Sequence, residues 1–330
     1  MKVGVVGATG VVGQTLFSIL EERHFPVSEL RPLASARSRD LQIQFGGRQW
    51  PVQEAIPQSF DGLDVVFFAA TGSLSRTLAP EAAQRGVLVI DKSSTWRLDP
   101  EVPLVVPEVN PLLSRPASNI IACPNCTTTP LVMALQALRS RRRIERVVVT
   151  SFQSVSGTGR DAVDELDAQL ASPGAEPSPR VYHHPIAHNV LPYCETFTVG
   201  GYTTEELKLR DESRKILSLP DLAVTMTCCR VPVRVGHSLS VLVELDEPLD
   251  PAEARSALAS FPGIRVKDDL DQWEVPTPRL DAGGDDVVVG RIRSDLSSSR
   301  GLWMWMVGDN LRKGAALNAV QIAEQVLLGR

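Results

Sequence analysis

The chain has 330 residues, of which 43% are apolar and 22% charged, with a formal net charge of −5. That length favours two domains, the acidic balance argues against a nucleic-acid binder, and no apolar run approaches the roughly 18 residues of a membrane helix. Five cysteines, an odd number, point away from a disulfide framework. Val3 to Val6 is too short for a signal-peptide core, so the expectation is a cytoplasmic globular protein.

Lys2 to Val6 reads as a strand that ends at Gly7-Ala8-Thr9-Gly10-Val11-Val12-Gly13, after which Val12, Leu16, Ile19 and Leu20 recur at helical spacing to about Arg23. Strand, glycine turn and helix form the context of a dinucleotide site. Gly7 permits the tight turn, Gly10 lets backbone N–H groups approach a pyrophosphate, and Gly13 lets the helix lie close to the sheet. The spacing is GxxGxxG rather than the commoner GxGxxG, and a purely structural turn is the alternative. The next strand, Leu30 to Ala34, is followed by Ser35-Ala36-Arg37-Ser38 and not by the Asp or Glu that an NAD ribose requires. Two hydroxyls and a guanidinium suit a 2′-phosphate and favour NADP; the competing reading is a polar surface loop.

Buried strands are predicted at Val65 to Ala70, Val87 to Ile90 and Ile120 to Ala122, with crossover-length stretches between them. This alternation predicts an α/β, Rossmann-like, doubly wound parallel sheet with ligands at the carboxyl ends of its strands. Thr71-Gly72-Ser73 follows one such end and Asp91 to Arg97 another. Arg97 is a candidate clamp for an anionic group, or else a solvated loop arginine.

Cys123-Pro124-Asn125-Cys126-Thr127-Thr128 precedes Leu131, Leu135 and Leu138 at helical spacing, which places Cys126 at or just before a helix N-terminus. Unpaired N–H groups and the positive dipole end favour thiolate there and offer stabilisation to an oxyanion. The CxxC spacing leaves a redox pair or a zinc site as rivals. Zinc, however, would need a second ligand pair, and three of the five histidines crowd into His183 to His188. Cys123 is read as an inert buried thiol. The basic run Arg139 to Arg143 suits the negative end of the same helix.

Further strands are expected at Val147 to Phe152, Ala223 to Cys229, Leu239 to Leu245 and Val287 to Ile292, in a second, α+β domain. Ala171 to Pro179, rich in Pro, Ser and Gly, reads as a mobile loop or a dimer-contact insertion. Taken alone, Glu205 and Lys208 are an ordinary exposed helix pair, Arg230 a strand-ending arginine and His237 a hydrogen-bonded or surface histidine. Gln153 has no chemical signature of its own.

Taken in order, six segments resemble the aspartate-β-semialdehyde dehydrogenases over nearly the whole chain. They are Gly7 to Gly13, Pro124 to Thr128, Phe152 to Gly157, Gly201 to Lys208, Arg230 to Ser238 and Asp309 to Ala316. The resemblance implies NADPH-dependent reductive dephosphorylation of β-aspartyl phosphate to aspartate β-semialdehyde, in lysine, threonine and methionine biosynthesis. It implies a cysteine thioester on Cys126, with His237 as acid/base partner and Gln153 orienting the carbonyl. Arg230 would take the α-carboxylate and Glu205 the α-ammonium, while Lys208 and Arg97, helped by Asn125, would hold the phosphate. Cofactor contacts are expected from Gly7, Thr9, Gly10, Val11, Val12, Gly13, Ser35, Arg37, Ser38, Thr71, Gly72, Ser156, Gly157, Asn310 and Lys313.

The implied layout is a nucleotide domain of residues 1–126 plus 310–330 and a catalytic and dimerisation domain of 127–309. The helix from Asn310 to Leu328 would return to the first domain, and the assembly would be a homodimer or a dimer of dimers. Neither a metal nor a membrane is implied. Lys92 stands where the family usually has Asn. The alternatives are an N-acetylglutamyl phosphate reductase, a glyceraldehyde-phosphate dehydrogenase, whose Ser-Cys-Thr-Thr-Asn run is missing, and a catalytically dead paralogue.

Overall fold

A computed structural model of the chain describes residues 1–171 and 179–329. They form two compact units, Met1–Asn125 with Ala315–Arg330, and Cys126–Gly314.

The first unit carries strands β1 (Lys2–Val6), β2 (Glu29–Ala34), the hairpin β3 (Gln42–Phe45) and β4 (Arg48–Pro51), and then β5 (Gln53–Glu54), β6 (Val65–Phe68), β7 (Leu88–Asp91) and β8 (Ile120–Ala122). Hairpin apart, they form one parallel sheet ordered β5-β2-β1-β6-β7-β8. Counting only sheet strands, that is the 3-2-1-4-5-6 order of a dinucleotide-binding fold, with its switch point beside β1. Every residue of β6, β7 and β8 is buried, as apolar strands covered on both faces require. Val3, Val5, Val65, Phe67, Leu88 and Ile90 share one core with helix α1 (Val11–Glu22). On β6 the alternate residue Phe68 stacks on Phe60 at 5.9 Å, and α2 (Gly72–Gln84) buries Leu78, Ala79 and Ala82.

The second unit opens with α3 (Thr128–Arg139) and is built on a mixed sheet. Its strands are β9 (Ile144–Gln153), β10 (Ala223–Arg230), β11 (His237–Leu245), β12 (Ile264–Val266), β13 (Val287–Ser294) and β14 (Gly301–Gly308). The order is β10-β9-β11-β14-β13-β12, with the two outermost pairs parallel and the inner pairs antiparallel. Helices α4 (Arg160–Ala171), α5 (Thr204–Leu217), α6 (Pro251–Ala259) and the single turn α7 (Pro278–Asp281) complete it. Burial alternates along β9 and β11. Val149, Val241 and Met304 are fully or nearly fully buried, whereas Phe152, Leu242, Trp303 and Trp305 of the opposite phase are half-buried. Phe152 and Trp305 stack at 5.3 Å.

Strand register brings the chemistry to one end of this sheet. Gln153 ends β9 and pairs with Arg230, which ends the parallel β10. The antiparallel β11 begins there with His237, which pairs with Gly308 at the end of β14.

Two expectations change. The closing helix does not run from Asn310. Arg312–Ala316 forms a π turn, and α8 (Leu317–Leu328) begins after it. The unit boundaries shift with it, because Asn310 bonds to Gly236 and Gly314 lies against Cys126. Cys126 and residues 310–314 therefore belong to the second unit, while α8 packs on α1 in the first, with Arg23 bonded to both Glu324 oxygens. The stretch from Ala171 to Pro179 lies, between those two residues, outside the described residues. Among the described residues, no helix is long and apolar enough to cross a membrane.

Candidate active site

In the first unit the candidate cofactor-binding groups lie at the carboxyl ends of parallel strands. Gly7 follows β1 with φ +83, and a Cβ there would sit 2.2 Å from the Ala69 carbonyl oxygen. A Cβ on Gly13 would sit 2.3 Å from the Gly7 carbonyl oxygen, so α1 runs directly against the turn. Gly10 is the exposed N-cap. The helical ladder starts only with Gln14 N–H donating to the Gly10 carbonyl at 2.9 Å, which leaves the amides of Val11, Val12 and Gly13 at the positive end of the dipole. Ser35 and Arg37 are exposed just past β2, with Ser38 half-buried. Thr71 caps α2, and Gly72 lies so close to Thr95 that a Cβ would meet its hydroxyl at 2.8 Å. Free helix-end amides beside a close-packed turn, with two serines and an arginine one strand over, fit a dinucleotide bearing a 2′-phosphate.

At the end of β7, Asp91 is fully buried. It accepts from the Ser75 hydroxyl and the Ser93 amide. Burial nevertheless raises its carboxyl above the ordinary range, against those bonds and the nearby Arg97. Arg97, 7% exposed, donates to the Lys92 carbonyl at 2.7 Å, and the Lys92 ammonium donates to the Pro124 carbonyl at 3.2 Å. The residue that departs from the family pattern therefore braces the segment leading into Asn125 and Cys126.

In the second unit, Cys126 sits one residue before Thr127, the N-cap of α3. Its Sγ lies 3.2 Å from His237 Nε2. His237 is fully buried, and the Ser154 amide donates to its Nδ1 at 3.0 Å. A ring nitrogen that accepts carries no proton, so the neutral ring holds its proton on Nε2, facing the sulfur. Burial, and then the Arg230 guanidinium, push the histidine pKa well below its ordinary value. The ring is neutral at physiological pH.

Gln153 is held at both ends of its amide. Its Nε2 donates to Glu205 and its Oε1 accepts from Ser151, each at 3.0 Å. Glu205, 4% exposed, lies 3.5 Å from Lys208, whose ammonium also contacts both carboxylate oxygens of Glu195. Thr203 and Glu206 form a capping box at the start of α5, which fixes the turn bearing Glu205 and Lys208. Arg230, 5% exposed, donates to the Ser154 carbonyl at 2.8 Å, while its Nε is buried without a partner among the described residues. Together with Gly157, Tyr182, Cys194 and Glu195 it lines a cavity of about 390 Å³. The second unit thus joins Cys126, His237 and Arg230 through Ser154, and Gln153, Glu205 and Lys208 through carboxylate contacts.

Cys126 is the one half-buried cysteine; the other four are buried. Burial pushes all four of their thiols up, Cys194 to about 12. Such thiols are inert at neutral pH.

Known proteins resemble this chain over nearly its whole length. A family profile described as the NAD binding domain of semialdehyde dehydrogenase matches residues 2–114, and one described as its dimerisation domain matches residues 135–313. The aspartate-semialdehyde dehydrogenase of Aquifex aeolicus is 46% identical, across 98% of this chain and 97% of the relative. The chain belongs to the aspartate-semialdehyde dehydrogenase family. Among solved structures, Vibrio cholerae aspartate semialdehyde dehydrogenase II, complexed with ASA, superposes with a TM-score of 0.93 at 42% identity, covering 98% and 97% of the two chains. The Candida albicans family member, solved with NADP, gives a TM-score of 0.76 at 26% identity, with 98% and 97% covered.

Several residues of this family member's site escaped sequence reasoning. Ser154 acts through a backbone amide that every non-proline residue possesses. Glu195, at φ +63, has only its charge to announce it. Gly314 owes its place to the π turn, where a Cβ would meet the Cys126 Cβ at 2.9 Å. Of the crowded histidines, His184 bonds to the Tyr193 hydroxyl at 2.9 Å.

Proposed function

We propose that this enzyme reduces β-aspartyl phosphate to aspartate β-semialdehyde with release of phosphate, through a thioester on Cys126. The observation that carries the reading is the Cys126–His237 pair at 3.2 Å, set beside a buried arginine with an unused N–H. The Cys126 thiolate attacks the acyl carbon, a C–S bond forms, and phosphate departs with the electron pair of the C–O bond. NADPH, when bound, supplies hydride for the thioester carbonyl. The resulting alkoxide collapses to the aldehyde and returns the electron pair to sulfur. That collapse requires no proton transfer, so a neutral imidazole that donates from Nε2 suits the charge as it moves between sulfur and oxygen.

Arg230 is our candidate for the α-carboxylate, since a buried guanidinium N–H without an acceptor is costly until a ligand provides one. Glu205, half shared with Gln153, is the candidate for the α-ammonium. Lys208 is the candidate for the phosphate, with Arg97 and Asn125 as the other sequence-based candidates for that group. Gln153, fixed by Ser151 and Glu205, presents its amide to the reacting carbonyl. Gly7, Thr9, Gly10, Val11, Val12 and Gly13 would hold the cofactor pyrophosphate, and Ser35, Arg37 and Ser38 its 2′-phosphate. Thr71 and Gly72 of the first unit and Ser156, Gly157 and Lys313 of the second are retained as cofactor candidates. The half-buried apolar face of β9, β11 and β14 supports a homodimer or a dimer of dimers, and the cytoplasm is our reading of its location.

Phosphate-dependent reduction of NADP⁺ by aspartate semialdehyde tests the whole reading. Turnover should prefer NADP⁺ to NAD⁺ and fall at least about 10³-fold in Cys126→Ala. Folded wild-type protein that reduces NADP⁺ only with N-acetylglutamate semialdehyde would overturn the substrate assignment.

A further inference from the structure

We infer that Asn310 and Ser154 are positioning residues for His237, holding the ring so that its Nε2–H faces the Cys126 sulfur. This rests on the reading of Cys126 and His237 given above. Asn310 is 3% exposed and its side chain is occupied internally. The Gly236 amide donates to its Oδ1 at 2.9 Å, and the Ser154 hydroxyl donates to the same atom at 3.1 Å. Its Nδ2 donates to the Ser156 hydroxyl at 2.9 Å. The backbone donor at Gly236 fixes which end of the amide is oxygen.

The consequence is geometric. Gly236 is the residue before His237, so it sets where the ring starts. Ser154 supplies the amide that meets Nδ1 at 3.0 Å, and its hydroxyl lies 3.1 Å from the same nitrogen. Asn310 therefore ties the segment that carries the imidazole to the segment that dictates its tautomer. The Ser154 segment is laced down independently, by Val155 N–H to the Val233 carbonyl at 2.9 Å and by Arg230 to the Ser154 carbonyl. Gly157 completes the seat, because a Cβ there would come within 3.1 Å of His237 Nε2. With Asn310 and Ser154 both buried and bonded to the segments on either side of it, the ring has little freedom to flip or to take a second proton.

The test uses the full-length enzyme and three readouts. Asn310→Ala and Ser154→Ala should each lower kcat about tenfold or more, with KM for aspartate semialdehyde and Kd for NADP⁺ changed less than twofold. Alkylation of Cys126 by iodoacetamide in the cofactor-free protein should slow at least fivefold in both variants. An NADP⁺ Kd raised tenfold in Asn310→Ala, with alkylation unchanged, would make Asn310 a cofactor ligand and overturn the proposal. Should either variant fail to fold, wild-type protein labelled with ¹⁵N-histidine decides the matter. The His237 resonance, assigned by its loss in His237→Gln, should show an unprotonated Nδ1 and a protonated Nε2 at neutral pH, and the opposite tautomer overturns it. Loss of the proposed substrate activity in wild-type enzyme would sink the function reading while leaving the alkylation and NMR results to judge this one.

Discussion

In the first unit the surface offered to a ligand is largely backbone: helix-end amides of Val11, Val12 and Gly13, approached over glycines whose missing side chains leave the room. In the second unit it is side chains, of which Gln153, Glu205, Arg230 and His237 are buried to within a few per cent and held by other side chains or by the Ser154 backbone. The first kind of site depends on what is absent at three positions and tolerates variety elsewhere. The second depends on what is present at many positions, and its members lie far apart in sequence, Cys126 and His237 by 111 residues. Glycine appears in both, but for different ends. Gly7 and Gly13 close a turn on itself, whereas Gly314 lets a π turn approach Cys126, the proposed nucleophile.

The comparison breaks most sharply at Gly7. Gly7→Val combines a positive φ with a backbone clash at 2.2 Å, so NADP⁺ binding should become undetectable by titration and stability should fall by several kcal/mol, roughly 3 or more. An NADP⁺ Kd near the wild-type value would show that the turn does not serve the cofactor. Gly314→Ala should act in the other unit's manner. The added methyl meets the Cys126 Cβ at 2.9 Å, and displacing the proposed nucleophile by less than an ångström should cost on the order of 10- to 100-fold in kcat. Kd for NADP⁺ should stay unchanged; equal losses in binding and turnover would erase the distinction between the two glycine roles.

A smaller effect concerns protons. His237 has its folded pKa pushed below the unfolded value of about 6.5 by burial and by Arg230. Below that pH the unfolded chain takes up a proton that the folded chain refuses, so stability falls as pH drops from 6.5 toward the folded pKa, by at most about 1.4 kcal/mol per pH unit. The raised Asp91 carboxyl works with the opposite sign. The measurement is therefore the difference between wild type and His237→Gln in urea melts at pH 5 to 7. The variant should lose the downward slope; parallel curves would mean that the ring is not buried neutral. Smallest of all is Thr203→Ala, which removes the capping hydroxyl of α5 and should lower stability by about 1 kcal/mol. Because Glu205 and Lys208 keep their own contacts, turnover should change less than about twofold; a larger loss would show that the cap itself sets the site.

How much of this was visible in the sequence follows from the same contrast. Strands β1, β2, β6, β7 and β8 lie within a few residues of where apolar runs predict them, whereas β3, β4 and the two-residue β5, mostly polar and exposed, give no such run. The glycine turn is legible because only glycine satisfies a +83° φ against a neighbouring carbonyl. The position of Cys126 ahead of α3 was legible from local pattern as well. Pattern could not reveal that Gln153, Arg230 and His237 meet, since register between parallel β9–β10 and antiparallel β9–β11 decides it; the resemblance to a family supplied those residues. The π turn at Arg312–Ala316 was missed because an extra residue in a helical turn leaves no mark on composition. Ser154 leaves no signal of its own in the sequence, since the atom that meets His237 is its amide nitrogen.

The burial of Cys123, Cys194, Cys228 and Cys229 has a practical consequence beyond their inertness. A native sample exposed to a mild chromogenic disulfide at neutral pH should release one equivalent of reporter per chain, and four more only after denaturation. The protein thus carries an internal gauge of its own competent fraction, so that rates can be normalised to working subunits rather than to total mass.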